Sequence, residues 1–142
     1  MAQQILVPVD ASDPAKSAFE YACEQFPDAS ITALHVINPP EVMYGHAQGA
    51  GEAYATPIET GREAAEELFE ELSTIASEYG ATVDTEVMTG QVERTINEFV
   101  EDHDMDLVVI GSHGRNGFAR VTLGSVAEKV VRRSPAPVLV VR

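Results

Sequence analysis

The sequence has one cysteine, few basic residues and no long hydrophobic stretch. Cys23 alone cannot form a disulfide within the chain, and phenylalanines and alanines at helical spacing around it predict a buried, unreactive thiol. No run of about 18 apolar residues is present, so no membrane-spanning helix is predicted. The chain also begins without a charged segment followed by an apolar core, so we expect no export signal and a cytoplasmic protein.

Basic side chains are scarce: nine lysines and arginines stand against 23 aspartates and glutamates, for a formal net charge of −14. Such a charge repels phosphates, so neither nucleic acid nor an anionic membrane is predicted as a partner. Residues 1–114 contain three basic side chains, whereas residues 115–142 contain six. Cations near the end of the last helix suit its dipole, but this does not account for Arg115 and Arg120. So acidic a surface suggests adaptation to high salt.

Residue combinations of common catalytic sites are also absent. No serine, histidine and aspartate accompany a glycine elbow, no histidine partners the cysteine, and no spaced set of ligands indicates a metal centre. The Walker A motif is missing, and the dinucleotide fingerprint is missing after the first strand, where the chain has Pro8-Val9-Asp10. An efficient enzyme is therefore not predicted, although slow phosphoryl transfer assisted by Arg115 or Arg120 stays open.

Hydrophobic patterning predicts alternating strands and helices. Short apolar or alternating segments predict strands at residues 4–9, 30–37, 82–88, 106–110 and 138–141. Helical spacing predicts helices at about residues 14–26, 59–79, 91–102 and 124–133. The aperiodic residues 38–58 are expected to form a flexible flap. The order predicts one α/β domain over residues 1–142, a doubly wound, Rossmann-like parallel sheet of five strands in the order 3-2-1-4-5 with four helices.

The first and fourth predicted strands are expected to be neighbours. Their carboxyl ends then flank the point where the strand order reverses, which is where such sheets bind ligands. Asp10 follows the first strand, and it is either a ligand-facing carboxylate or only a helix cap. The last strand, Val138–Val141, is apolar and lies at a sheet edge, which predicts a homodimer through pairing with its copy.

The most informative stretch is Gly111-x2-Gly114-x9-Gly124-Ser125, directly after the fourth strand. A strand that leads through glycines to a helix beginning with Gly-Ser can direct several backbone N–H groups and a hydroxyl at one anion, and the helix dipole adds positive charge. The stretch therefore predicts a phosphate site. His113 is either a turn residue or a phosphate or ribose contact. Ser125 can also serve as a helix cap.

This glycine stretch, with Ile-Gly-Ser-His-Gly at its start and Pro-Val-Leu-Val-Val after it, resembles the universal stress protein family, specifically its ATP-binding branch. The likeness covers the whole chain, including Ile-Leu-Val-Pro-Val-Asp near the start and Leu-His-Val-Ile in the second strand. It implies a fold like that of the adenine nucleotide α-hydrolases, a homodimer, and ATP or another adenine nucleotide bound with Mg²⁺. It also implies a nucleotide-dependent sensor or switch in the stress response.

The resemblance further implies the residues of a nucleotide site. Pro8, Val9 and Asp10 would line the nucleotide, with Asp10 facing the ribose or a phosphate-bound metal. Val36 would meet the adenine ring through its backbone. The residues expected around the phosphates and ribose are Ile110, Gly111, His113, Gly114, Arg115, Gly124, Ser125 and Val126. Two other functions stay open: a slow ATPase or phosphotransferase, and a nucleotide-free structural or interaction protein.

Overall fold

The computed structural model describes residues 2–38, 57–112 and 123–142. The strands in these ranges are β1 (Gln4–Pro8), β2 (Ser30–Ile37), β3 (Thr82–Thr89), β4 (Leu107–Gly111) and β5 (Val138–Val141). The helices are α1 (Asp13–Gln25), α2 (Pro57–Tyr79), α3 (Val92–Asp102) and α4 (Ser125–Arg133). All strand pairs are parallel, in the order β3-β2-β1-β4-β5. The predicted fold, strand order and helices are confirmed.

Helices cover both faces of the sheet and form two hydrophobic cores with it. One core includes Phe19 of α1 and Leu72 of α2. The other includes Ile96 of α3 and Val130 of α4. Successive strand residues point to opposite faces, so Leu6 of β1 lies in the second core while both of its neighbours lie in the first. We refer to the two sides as the α1/α2 face and the α3/α4 face.

Helix α1 begins where the sequence predicts, and its cap is a serine. Ser12 Oγ accepts a hydrogen bond from the Ala15 N–H at 3.3 Å, and Pro14 lies in the first turn, where a missing N–H has no cost. The alternative in which Asp10 caps the helix is therefore wrong. Asp10 Oδ1 instead accepts from the Ser12 N–H at 2.8 Å, in a turn that leads the chain from β1 towards α1.

Helix α2 begins at Pro57, two residues before its predicted start at Glu59. The rest of the predicted flap, residues 39–56, lies outside the described residues. The helix ends as predicted at Gly80, whose φ of +64° is one that glycine adopts without strain. No helix in the described parts of the chain combines the length and the apolar character that crossing a membrane requires.

Cys23 lies in the α1/α2 core, as predicted, with 1% of its surface exposed. Burial raises the pKa of its thiol to about 11, and the negative charge of Glu20 contributes a smaller part of that shift. The thiol is therefore held in its neutral form at physiological pH, which is the unreactive form of cysteine.

Candidate functional site

Strands β1 and β4 are neighbours that pair only near their amino ends. The pairing stops at Leu6 and Val108, although β1 continues to Pro8 and β4 to Gly111, all within the described residues. By contrast, β1 stays paired with β2 along its whole length. The carboxyl ends of β1 and β4 are therefore not paired with each other at the point where the strand order reverses, which is where sheets of this kind form a ligand crevice.

Gly111 ends β4 directly beneath the first turn of α1. A Cβ at this position would lie 2.7 Å from the carbonyl oxygen of Pro14 and 3.1 Å from the Ala15 nitrogen. Only glycine allows so close an approach of helix backbone to strand. The sequence predicts Gly111 as part of a phosphate loop, and the structure gives it a packing role that holds the start of α1 beside the crevice.

Ser112 joins the end of β4 to the start of α4. Its N–H donates to the Val141 carbonyl at 2.9 Å, and its own carbonyl accepts from the Gly124 N–H at 2.5 Å. The second bond brings the first turn of α4 to the carboxyl edge of the sheet. Ser112 is 4% exposed and was not among the predicted site residues. The feature of the sequence that could have indicated Ser112 is that it is a small polar residue immediately after a buried strand.

The first turn of α4 contains backbone N–H groups that the helix itself does not pair. Gly124 is the N-cap and has no side chain to cap the helix, and Ser125 is the first helical residue, so the alternative in which Ser125 is the cap is wrong. The first helical bond runs from the Glu128 N–H to the Gly124 carbonyl at 2.9 Å. The N–H groups of Ser125, Val126 and Ala127 precede it and have no partner within the helix. Such a turn attracts anions.

Val36 directs its backbone towards the crevice. The Leu34 carbonyl faces β1, where it accepts from the Val9 N–H at 2.9 Å, and the Ile37 carbonyl faces away from β1, where it accepts from the Gly90 N–H at 2.9 Å. Since successive residues of a strand direct their backbone groups to opposite neighbours, the N–H and C=O of Val36 face the β1 side. Strand β1 has ended by that level, so a donor and an acceptor lie side by side there.

Alternation along the strands divides the predicted site residues between the two faces. Pro8, Val36 and Ile110 lie on the α3/α4 face with the first turn of α4. Val9 lies on the opposite face, in the α1/α2 core, with 6% of its surface exposed. Its N–H is bonded to β2, and its carbonyl accepts from Nδ1 of His35 at 2.9 Å. Both backbone polar groups of Val9 therefore have partners within the protein, and its role is to pack the end of β1 against the core.

Asp10 lies half-buried just beyond the end of β1. Its Oδ1 accepts from the Ser12 N–H, and its Oδ2 has no partner among the described residues. No group of three or more histidine, cysteine, aspartate or glutamate side chains in the described ranges could hold a metal. A cation at Asp10 would therefore need further oxygen ligands from a bound molecule.

Some predicted site residues lie outside the described residues: His113, Gly114 and Arg115. Their roles stay predictions, as does the predicted involvement of Arg120. Four cations of residues 115–142 lie in the described part of the chain, and two of them form ion pairs. Lys129 Nζ lies 3.5 Å from Glu93 Oε1, and Arg132 lies 2.9 Å from Glu128.

The family model for universal stress proteins matches residues 1–142. The chain belongs to the universal stress protein family. A universal stress protein of Methanocaldococcus jannaschii is 33% identical over 143 residues, an alignment that covers 99% of this chain and 82% of that protein. The structure is also similar to that of the universal stress protein UspA from Lactobacillus plantarum, with a TM-score of 0.74 and 28% identity over 99% of this chain and 97% of that one.

Two more distant universal stress proteins share the fold and were solved with adenine nucleotides. One, from Archaeoglobus fulgidus, is in complex with dAMP; it is 20% identical with a TM-score of 0.71, covering 100% of this chain and 98% of that one. The other, from Arabidopsis thaliana, has AMP bound. It is 22% identical with a TM-score of 0.69, and the alignment covers 98% of this chain and 90% of that one.

Proposed function

We propose that this universal stress protein binds an adenine nucleotide in the crevice between the carboxyl ends of β1 and β4 and acts as a nucleotide-dependent sensor or switch. The observation that carries the proposal is the 2.5 Å hydrogen bond between the Gly124 N–H and the Ser112 carbonyl. It holds the uncapped first turn of α4 at the crevice, where N–H groups can bind phosphate oxygens. The AMP and dAMP complexes of relatives support the same class of ligand.

The backbone of Val36 favours adenine as the base. Its adjacent N–H and C=O complement the adenine edge, on which N1 accepts and the 6-amino group donates. Guanine carries the opposite arrangement, with a donor at N1 and an acceptor at O6. A guanine placed against Val36 would therefore set donor against donor and acceptor against acceptor, and leave those groups unpaired.

Asp10 is the residue that fits the ribose or a metal ion. Its Oδ2, which has no partner in the described part of the chain, can accept from a ribose hydroxyl, or it can serve as one hard oxygen ligand of Mg²⁺ while nucleotide phosphates provide others. With ATP bound, Mg²⁺ would neutralise phosphate charge. That charge is otherwise unfavourable beside a carboxylate in a protein with a net charge of −14.

In a switch, the bound nucleotide must alter a surface that a partner contacts. Ser112 connects the proposed phosphate site to such a surface, the edge strand β5. Its carbonyl bonds the first turn of α4, while its N–H bonds Val141 at the end of β5. Strand β5 is a sheet edge at which all four residues are half-exposed, and we propose that it pairs with its copy in a homodimer. Phosphate binding at the first turn of α4 would then affect the dimer interface at β5 through the buried Ser112.

The test is the identity of the nucleotide that is released when the purified protein is denatured, read by mass spectrometry. We expect AMP, ADP or ATP. Absence of any adenine nucleotide, together with no binding at millimolar concentration in low or high salt, would favour the nucleotide-free alternative. Linear product formation that Asp10→Ala abolishes and the core variant Ala22→Gly retains would instead favour the slow ATPase.

A further inference from the structure

His35 makes the last bond between strands β1 and β2. Its Nδ1–H donates to the Val9 carbonyl at 2.9 Å. Its neighbours two positions away along β2 are on the α1/α2 face, because Ala33 lies in that core and the Ile37 side chain lies against Gly61 of α2. The ring of His35 is therefore on that face, and the Val36 side chain is on the other. The histidine therefore reaches the end of β1 from behind the crevice and does not obstruct it.

The Val9 carbonyl would accept the next hydrogen bond between β1 and β2 if their pairing continued. Strands β1 and β2 pair Pro8 with Leu34, and the Val9 N–H donates to the Leu34 carbonyl. In a parallel ladder the following bond would run from the Val36 N–H to the Val9 carbonyl. That carbonyl accepts from His35 Nδ1 instead, and the pairing of β1 with β2 ends at Pro8 and Leu34.

We infer that His35 is a positioning residue: by occupying the Val9 carbonyl, it keeps the backbone N–H of Val36 available to the base of the bound nucleotide. The inference rests on the proposed adenine site and deepens it. Without the ring nitrogen, the Val9 carbonyl would lack a partner among the described residues, which is unfavourable for a part-buried acceptor. The nearest remaining donor in the register is the Val36 N–H. The ladder would then extend by one bond, and the site would lose the donor that distinguishes adenine from guanine.

Three variants test this. His35→Phe keeps a planar ring but removes the donor. His35→Asn restores a donor, because its amide nitrogen is as many bonds from the backbone as Nδ1. His103→Phe is the matched control, since His103 Nδ1 makes the same kind of bond to the Phe99 carbonyl at 3.2 Å, at the end of α3 that leads into the amino end of β4.

Two quantities are measured: the affinities for AMP and GMP by calorimetry, and the hydrogen exchange of the Val36 amide in the nucleotide-free protein by NMR. In His35→Phe we expect AMP affinity to fall about tenfold, the preference for AMP over GMP to shrink, and the Val36 amide to become protected. His35→Asn and His103→Phe should both behave like the wild type.

The inference is overturned if His35→Phe binds AMP like the wild type and leaves Val36 exchange unchanged. It is also overturned if His35→Asn loses as much affinity as His35→Phe with no protection of Val36, because the ring would then serve only the stability of the fold. If the wild type itself binds no AMP, the proposed function fails. The exchange of Val36 still decides whether His35 ends the ladder.

Discussion

Two residues of the crevice serve it through the backbone rather than the side chain. Gly111 lets the first turn of α1 approach β4, and Val36 presents a donor and an acceptor beyond the end of β1. Both are small or apolar, so neither would stand out in a search for polar side chains. At the residue scale, this site therefore depends more on where strand β1 stops pairing with its neighbours than on polar side chains.

Gly111→Ala should destabilise the protein by about 1–3 kcal/mol and weaken nucleotide binding, because the new Cβ would be forced against the Pro14 carbonyl. Urea denaturation measures the first effect. Gly80→Ala is the comparison: it has open space but a φ of +64°, so it should cost about 1 kcal/mol through backbone strain alone and leave binding unchanged. Wild-type stability in Gly111→Ala would contradict the packing described for the crevice.

Cys23 should be unreactive towards a disulfide reagent such as dithionitrobenzoate at pH 8 in the native protein and react fully in urea. Burial raises its pKa from 9.0 to about 11, so little thiolate is present. Because the folded pKa lies above the unfolded one, the neutral thiol stabilises the fold below about pH 9, and this contribution is lost as the pH rises towards 11. Equal reaction rates in the folded and unfolded protein would show that the thiol is accessible.

At the scale of elements, the strands and helices could be predicted because their patterns are local. Strands β1 and β4 are nearly continuous apolar runs, and α3 repeats apolar residues at helical spacing. The start of α2 lies two residues before the predicted one. The difference arises because Pro57 follows an aperiodic segment, although proline in a first turn is itself a start signal.

The site was only partly predictable for a different reason. The Gly124-Ser125 pair can be recognised in the sequence, because a strand, a glycine loop and a helix start are consecutive in the chain. The bonds made by His35 and Ser112 cannot, because they depend on where one strand ends relative to its neighbour. That register is set by the assembled sheet and is not encoded in any single segment.

Val140→Lys should convert the proposed homodimer into a monomer, because it places a charge in the apolar edge strand β5. Sedimentation measures the mass. Thr82→Lys adds the same charge to β3, which forms the opposite edge of the sheet, and should leave the mass unchanged. An unaltered dimer in Val140→Lys would place the subunit contact elsewhere.

At the scale of the whole molecule, the excess of negative charge is the feature expected to affect stability most. The net charge is −14, and α2 presents most of its glutamates to solvent. Its ion pair between Glu71 and Lys16, at 2.5 Å, is partly exposed, and such pairs contribute little to stability. We therefore expect self-repulsion to oppose folding at low salt.

Raising KCl from about 0.1 to 1 M should raise the thermal unfolding midpoint, because the screening length falls from about 10 to 3 Å. A variant with Glu63→Gln and Glu67→Gln should show a smaller dependence on salt, since both side chains are exposed on α2. A midpoint that falls with KCl, or a dependence that the double variant leaves unchanged, would contradict the proposed adaptation to high salt.

The central claim is that the crevice between β1 and β4 takes an adenine nucleotide and distinguishes its base through Val36. Calorimetric titration of nucleotide-stripped wild-type protein with AMP and with GMP tests it most directly. The account predicts saturable binding of one AMP per chain and an affinity for GMP that is lower by about tenfold or more. Equal affinities would contradict the role given to Val36, and no binding of either nucleotide at millimolar concentration would contradict the site itself.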